Sequence, residues 1–423
     1  MLKKNLRDLC GTAFLVFLLG ALPAQAGVQI QSWQASTGAR VLFVENHDLP
    51  ILDVSVDFPA GSSADTPEKS GLASMTNHLL GLGAEGMGEE AISRVFADVG
   101  AMFAGRFDTD RAGLSLRTLS SDREKMQALE TFSRVLQKPT FPEAVLERER
   151  ARTIAALKES DTKPETISDR AFEKLLYGGH PYGLRGSGEQ ETVAGLKRQD
   201  LADFYQRQYA RSRAVVAIMG DVTRAEAEVL AETLTRDLPE GGAAAALPPV
   251  KSPEQARSER IPHPATQAHI LVGTTGISRG DPDYFPLWVG NHILGGGGFV
   301  SRLTEEVRQK RGYAYSVYSY FMPLKERGPF QIGLQTRKDQ AGEALEVVRS
   351  TLADFIANGP TEKELKAAKD NIVGGFPLRI DSNRKIHEYL SVIGFYGLPL
   401  SYLDDFPGKV EKVTAAQIRD AFK

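Results

Sequence analysis

The sequence predicts an α+β protein made of two homologous domains, one unit written twice. Three observations carry this. Strand-like alternation and helix-like periodicity are mixed in each half, without the strict strand–helix alternation of a doubly wound sheet. The segment Asn77-His78-Leu79-Leu80-Gly81 returns as Asn291-His292-Ile293-Leu294-Gly295, which puts His78 and His292 214 residues apart. Between the copies lies Pro239-Glu240-Gly241-Gly242, then four alanines and Leu247-Pro248-Pro249, a composition that reads as an exposed linker. The length, 423 residues, accommodates two such domains at ~100–200 residues each.

In chain order, residues 1–26 come first. Lys3, Lys4 and Arg7 open the segment, Ala13 to Leu22 is almost wholly apolar, and Ala24-Gln25-Ala26 is a small-x-small cleavage site, the three parts of a secretory signal peptide. A membrane anchor would need ~20 apolar residues, about twice this run. Cleavage after Ala26 would change the net charge from −3 to −5, because three basic residues and Asp8 leave together. It would also remove Cys10, the single cysteine of the chain. A disulfide framework and a Cys-rich metal centre are thereby excluded. The mature protein is expected to be periplasmic or secreted, with no stable membrane insertion. With 51 basic against 54 acidic side chains, nothing points to a nucleic-acid partner.

Residues 27–235 form the expected N-terminal domain. Ile51 to Phe58 alternates, with Leu52, Val54, Val56 and Phe58 on one face, and a short helix is expected after Asn77-His78. Ala112 to Leu119 reads as a second alternating strand. Amphipathic helices follow, then a helix over Val193–Phe204 and a strand over Ala214–Gly220. The linker is placed at 236–257. In the C-terminal domain, 258–423, strands are expected at His269–Gly273 and Phe330–Thr336. Helices start at Ala341 and at Thr361, the latter with Pro360 ahead and Glu362 and Glu364 in its first turn. The copy reaches a helix over Val413–Phe422 and then lacks the last strand. Either the second sheet is short of that strand or a neighbouring chain covers its edge.

Leu294-Gly-Gly-Gly-Gly-Phe-Val-Ser-Arg-Leu303, then Glu306-Val-Arg-Gln-Lys-Arg-Gly-Tyr-Ala-Tyr-Ser-Val-Tyr318, with Gly280-Asp-Pro-Asp-Tyr284 upstream, is the most specific pattern in the chain. It resembles the C-terminal domain of the pitrilysin/insulinase-type metallopeptidases, especially the bacterial members and the mitochondrial processing peptidases. The resemblance covers nearly the whole mature chain. It implies two α/β-sandwich domains of the metallopeptidase type. It also implies an inverted zinc motif, H-x-x-E-H, whose glutamate is the general base, with a third ligand from a later helix.

This chain departs from that pattern. The first histidine position is Ser74, the base position is Asn77, His78 alone survives, and the late glutamate falls at Ala156, beside Ala155. Glu149 matches a supporting glutamate of the family. A catalytic zinc needs three protein ligands and an open position, and an amide cannot take a proton from water at neutral pH. No zinc is therefore expected in this chain. His78 reads either as a surviving ligand or as a structural histidine hydrogen-bonded inside its helix. Ala104-Gly105 stands where active relatives carry an Asn-Ala pair on their substrate-pairing strand, which argues against substrate lying on this edge.

The second half keeps its part of the pattern. The resemblance implies that an arginine and a tyrosine seven residues apart, here Arg308 and Tyr315, hold the scissile carbonyl. A guanidinium and a phenol can both donate to a developing oxyanion. The alternative is a solvated arginine within Arg308-Gln309-Lys310-Arg311 and a core tyrosine. Gly295, Gly296, Gly297 and Gly298 either handle peptide substrate or form a plain turn; no Lys-Ser/Thr follows, so they are not a P-loop. The leading expectation is a non-catalytic subunit of a two-chain peptidase, with zinc in a homologous partner subunit. The alternatives are a structural or binding protein of the same fold, and an autonomous zinc peptidase with atypical ligands.

Overall fold

A computed structural model describes residues 27–242 and 246–423. The expected signal peptide lies outside the described residues. The first half folds as β1 (Gln31–Gln34), β2 (Arg40–Glu45), β3 (Ile51–Phe58), α1 (Leu72–Leu80), a two-residue ladder of β4 (Gly83–Ala84) and β5 (Met87–Gly88), and α2 (Glu89–Asp98). There follow β6 (Met102–Phe107), β7 (Ala112–Leu119), α3 (Asp122–Gln137), α4 (Glu143–Ser160) and α5 (Pro164–Tyr177). The half closes with α6 (Gln190–Ala194), α7 (Arg198–Gln208), β8 (Val215–Gly220) and α8 (Arg224–Thr235). The single helix expected over Val193–Phe204 is two, broken at Gly195-Leu196, where the chain turns to start α7.

The first sheet has the order β1-β2-β8-β3-β7-β6. Its strands pair antiparallel except β2 and β8, which run parallel. The helices stack on one face, where Leu52, Val54, Val56 and Phe58 of β3 are fully buried with Leu79 and Leu80 of α1. The alternation of β3 predicts a wet opposite face, yet Asp53, Ser55 and Asp57 are buried too. A helix from the other half covers them.

The second half is β9 (Gln267–Thr275), α9 (Tyr284–Asn291), β10 (Ala314–Phe321), β11 (Pro329–Arg337), α10 (Ala341–Asn358), α11 (Glu362–Gly375), α12 (Asn383–Tyr396), α13 (Tyr402–Glu411) and α14 (Ala415–Phe422). Thr361 caps α11 as expected: its hydroxyl accepts the Glu364 N–H and the Glu364 carboxylate reaches back to the Thr361 N–H. The sheet order is β10-β11-β9, so among the described residues β9 pairs with β11 alone and its outer edge carries no strand.

Each half lends a helix to the other's sheet. α5 packs against β9, and α12 crosses β2, β8 and β3. Gly394 lets α12 come close, since a Cβ there would stand 2.5 Å from a Leu42 methyl and 2.6 Å from a Val215 methyl. On the polar side of the same face, the Ser391 hydroxyl donates to Asp57 at 2.5 Å and receives Arg106 and Arg111 at 2.9 and 3.0 Å. The second core therefore contains Leu42, Val215 and Ala217 of the first sheet together with Leu390 and Ile393 of α12. Among the described residues no helix or strand forms between the end of α8 at Thr235 and the start of β9 at Gln267, a stretch that contains the expected linker at 236–257. That linker is not simply exposed. Leu238 and Val250 are buried, and the Pro248 carbonyl meets His180 Nε2 at 2.8 Å.

Candidate functional site: an altered metal helix and an arginine between two rings

α1 begins at Gly71, in the left-handed region at φ 93°. The Asp65 carboxylate accepts the Gly71 and Ala73 N–H groups, each at 2.8 Å, which fixes the start of the helix. Burial pushes this carboxyl up to about 7 against those two bonds. Ser74, one turn on, is half-buried. Asn77 is buried, and its amide Nδ2 donates to the Gly113 carbonyl at 2.9 Å and to the Tyr209 hydroxyl at 3.3 Å. It ties α1 to β7 and to the end of α7. A Cβ at Gly105 would lie 3.1 Å from Asn77 Oδ1, so two departures from the family pattern are spatial neighbours. Asn291 has a matching place in the second half, bonding the carbonyl and hydroxyl of Ser319 on β10. The repeated asparagine thus binds a helix to its sheet in both copies.

His78 differs from the structural reading made of it. It is held between helices rather than inside its own, its side chain 54% exposed and its Nε2 3.1 Å from Glu149 Oε2 on α4. Glu149 is also clamped by Arg148 at 2.7 Å and Arg152 at 2.9 Å. Ala156, two turns further along α4, is exposed and brings no donor. Among the described residues no three His, Cys, Asp or Glu side chains converge as metal ligands. A hydroxyl, an amide and a methyl cannot stand in for the imidazole, base and carboxylate of a zinc peptidase. The residues present do not fit the metal. His292, the repeat partner of His78, is partly buried, and desolvation lowers its pKa.

In the second half, the chain leaves α9 through a wide π-type turn at His292–Gly296, passes Gly298–Val300, and makes a second π-type turn at Thr304–Gln309. Such turns are rare and concentrate at functional sites. Each glycine of the run meets a local demand. Cβ atoms at Gly295, Gly296 and Gly297 would approach Ser319 Oγ, Asn291 Nδ2 and the His292 carbonyl at 2.4, 2.6 and 2.5 Å, and Gly298 has φ +63°. The run is a packed turn that presents Phe299 to solvent, 67% exposed.

Arg308 and Tyr315 come together. The Arg308 guanidinium lies 4.8 Å from the Phe299 ring centre and 4.9 Å from that of Tyr315, which is 85% exposed. Both distances suit cation–π contact. Lys310 and Arg311 of the same basic cluster are paired with Glu305 and Glu306. Arg308, by contrast, makes no side-chain hydrogen bond or ion pair among the described residues, and neither does the Tyr315 hydroxyl. Two donors therefore stand side by side with their hydrogens unengaged. Phe299 was not singled out from sequence, although an aromatic directly after four glycines was the available signal.

A duplicated two-domain α+β fold, with the donors of one metal helix replaced, defines the non-catalytic homologue of a metallopeptidase. Residues 40–185 match the family described as Insulinase (Peptidase family M16), and residues 195–372 match the Peptidase M16 inactive domain. The chain is 26% identical over 391 residues to the "Non-peptidase homolog YmxG" of Helicobacter pylori, covering 90% of this chain and 88% of that protein. It is 25% identical over 353 residues to the "Uncharacterized zinc protease YmxG" of Bacillus subtilis, covering 84% and 85%. A crystal structure of a "peptidase M16 inactive domain" from Pseudomonas fluorescens shares 38% identity and superposes with TM-score 0.90, covering 93% of this chain and 94% of that one. The chain belongs to the insulinase-type peptidase family M16, as an inactive homologue.

Proposed function

We propose that this chain is the non-catalytic subunit of a two-chain zinc metallopeptidase, exported after removal of residues 1–26 and acting in the periplasm or outside the cell. A homologous partner subunit holds the zinc and the glutamate base. This chain contributes Arg308 and Tyr315, which donate hydrogen bonds to the carbonyl oxygen of a bound peptide and stabilise it as negative charge develops. The observation that carries the reading is the Arg308 side chain, held between Phe299 and Tyr315 with its donors unengaged. Stacking fixes the plane of the guanidinium without using its N–H groups, and so orients it before substrate arrives. The turn at Gly295–Gly298 sets Phe299 in place and thereby the arginine.

The test is peptide cleavage by this chain alone, by a zinc-bearing homologue from the same organism alone, and by the mixture. Activity is expected only in the mixture. Loss of one oxyanion donor costs about 10²–10³ in kcat, so Arg308→Ala and Tyr315→Phe should each lower the mixture's kcat by roughly that factor without changing association. If both variants support full activity, the assigned role is wrong. A chain that associates stably but never alters a peptidase rate is a binding protein instead.

A further inference from the structure

A cleft on the second half has no part in the site above. It lies between the residues that enter α9, the loop from α12 to α13, and the start of α14, and encloses about 430 Å³. That volume falls within the ~300–1,000 Å³ usual for small-molecule sites. Its walls are apolar, formed by Phe285, Leu398, Tyr402 and Val413 with prolines at positions 282, 286 and 399. Tyr284 also lines it and stacks on Trp288 at 5.8 Å.

The charged residues of the cleft are unevenly signed. Arg279, Lys409 and Lys412 line it, against the single acid Asp281. Asp281 already accepts the Asp283 N–H at 2.9 Å, and Lys409 lies 3.5 Å from Asp405. Arg279 and Lys412 have no carboxylate within ion-pair distance among the described residues. Arg279 Nε is buried and has no hydrogen-bond partner there, a costly state for a charged donor. The guanidinium stacks instead at 5.1 Å from the Tyr396 ring.

We infer that this cleft binds a small apolar carboxylate, with its hydrocarbon or aromatic body against Phe285, Leu398 and Tyr402 and its anion held by Arg279 and Lys412. Apolar walls reward desolvation of the body, and two cations without counter-ions supply the charge-assisted hydrogen bonds that an apolar cleft otherwise lacks. The C-terminal residue of a short peptide and a medium-chain fatty acid share this chemistry. The inference does not depend on the peptidase-subunit reading.

Calorimetric titration of the full mature chain tests it with three probes: N-acetyl-Leu-Phe as the free acid, the same compound as its C-terminal amide, and octanoate. At least one acid is expected to bind in the micromolar to low millimolar range, and which of the two binds more tightly identifies the source. Where the dipeptide acid binds, the amide should bind about tenfold or more weakly, as expected for loss of a charge-assisted bond. Arg279→Gln and Lys412→Gln should each weaken the bound acid about tenfold, while Arg308→Ala leaves it unchanged. The comparison of acid with amide needs no variant, and so stands even if Arg279→Gln fails to fold. No binding of either acid at millimolar concentrations, equal binding of acid and amide, or indifference to both substitutions overturns the inference.

Discussion

Asn77 and His78 are neighbours on α1 with opposite structural weight. The sequence marks both, because both stand in a motif position, but it cannot say what replaced the lost chemistry. Asn77 is buried and donates to Gly113 and Tyr209. Asn77→Ala leaves a buried carbonyl without its donor, and is expected to destabilise the protein by about 1–3 kcal/mol. Asn77→Glu should cost at least as much, since a carboxylate cannot donate to Gly113 and is desolvated there. His78→Ala removes only a half-exposed pair with Glu149 and should cost under about 1 kcal/mol. Urea denaturation of the three variants checks the order. If Asn77→Ala and His78→Ala prove equal, the anchoring role of Asn77 is mistaken. The Arg308–Tyr315 pair was legible only through the family resemblance, since its spacing alone fits a solvated arginine and a core tyrosine equally well. That Phe299 closes the other side was not, because the turn that carries it forward exists only in the fold.

Elements were legible wherever their pattern depends on their own residues. β3, β7, α10 and α11 begin where alternation, caps and prolines place them. What could not be read was the second face of β3, because the helix that covers it comes from more than three hundred residues later in the chain. A strand with aspartates at 53 and 57 reads as half-wet, yet Arg117 and Arg106 meet those carboxylates and α12 closes over them. The contact of α12 with the sheet depends on close approach at Gly394. Gly394→Ala drives a methyl into Leu42 and Val215 and is expected to cost about 1–3 kcal/mol by overpacking. An exposed helix glycine changed to alanine, such as Gly342, should instead be neutral or stabilising by up to about 1 kcal/mol. A thermal melt in which Gly394→Ala gains stability would show that α12 sits farther from the sheet than described.

The same helix carries a buried histidine that couples stability to pH. His387 of α12 is buried, its Nε2 3.3 Å from the Ala217 carbonyl, and burial lowers its pKa to about 4 despite Asp53 and Asp57 nearby. A histidine whose folded pKa lies below its unfolded value of about 6.5 binds more protons when unfolded. Its contribution is fully present above pH 6.5 and is lost as the pH falls toward 4. Between pH 7 and 4.5 the native chain should lose about 2 kcal/mol more than His387→Gln does, an order-of-magnitude figure from the shift. Parallel pH–stability curves for the two proteins would remove His387 as the cause. At this scale the presence of two related domains was legible, because a repeated Asn-His is a local feature. The exchange of helices was not, since no local pattern records which sheet a helix will cover.

That exchange determines what a cut in the connection would do. With α12 seated on the first sheet and α5 on the second, neither half holds its own lid. Two polypeptides ending and starting near the alanine run should therefore fold poorly apart and reconstitute a native-like particle when coexpressed. A protease nick in the same place should leave the molecule migrating as one body until it is denatured.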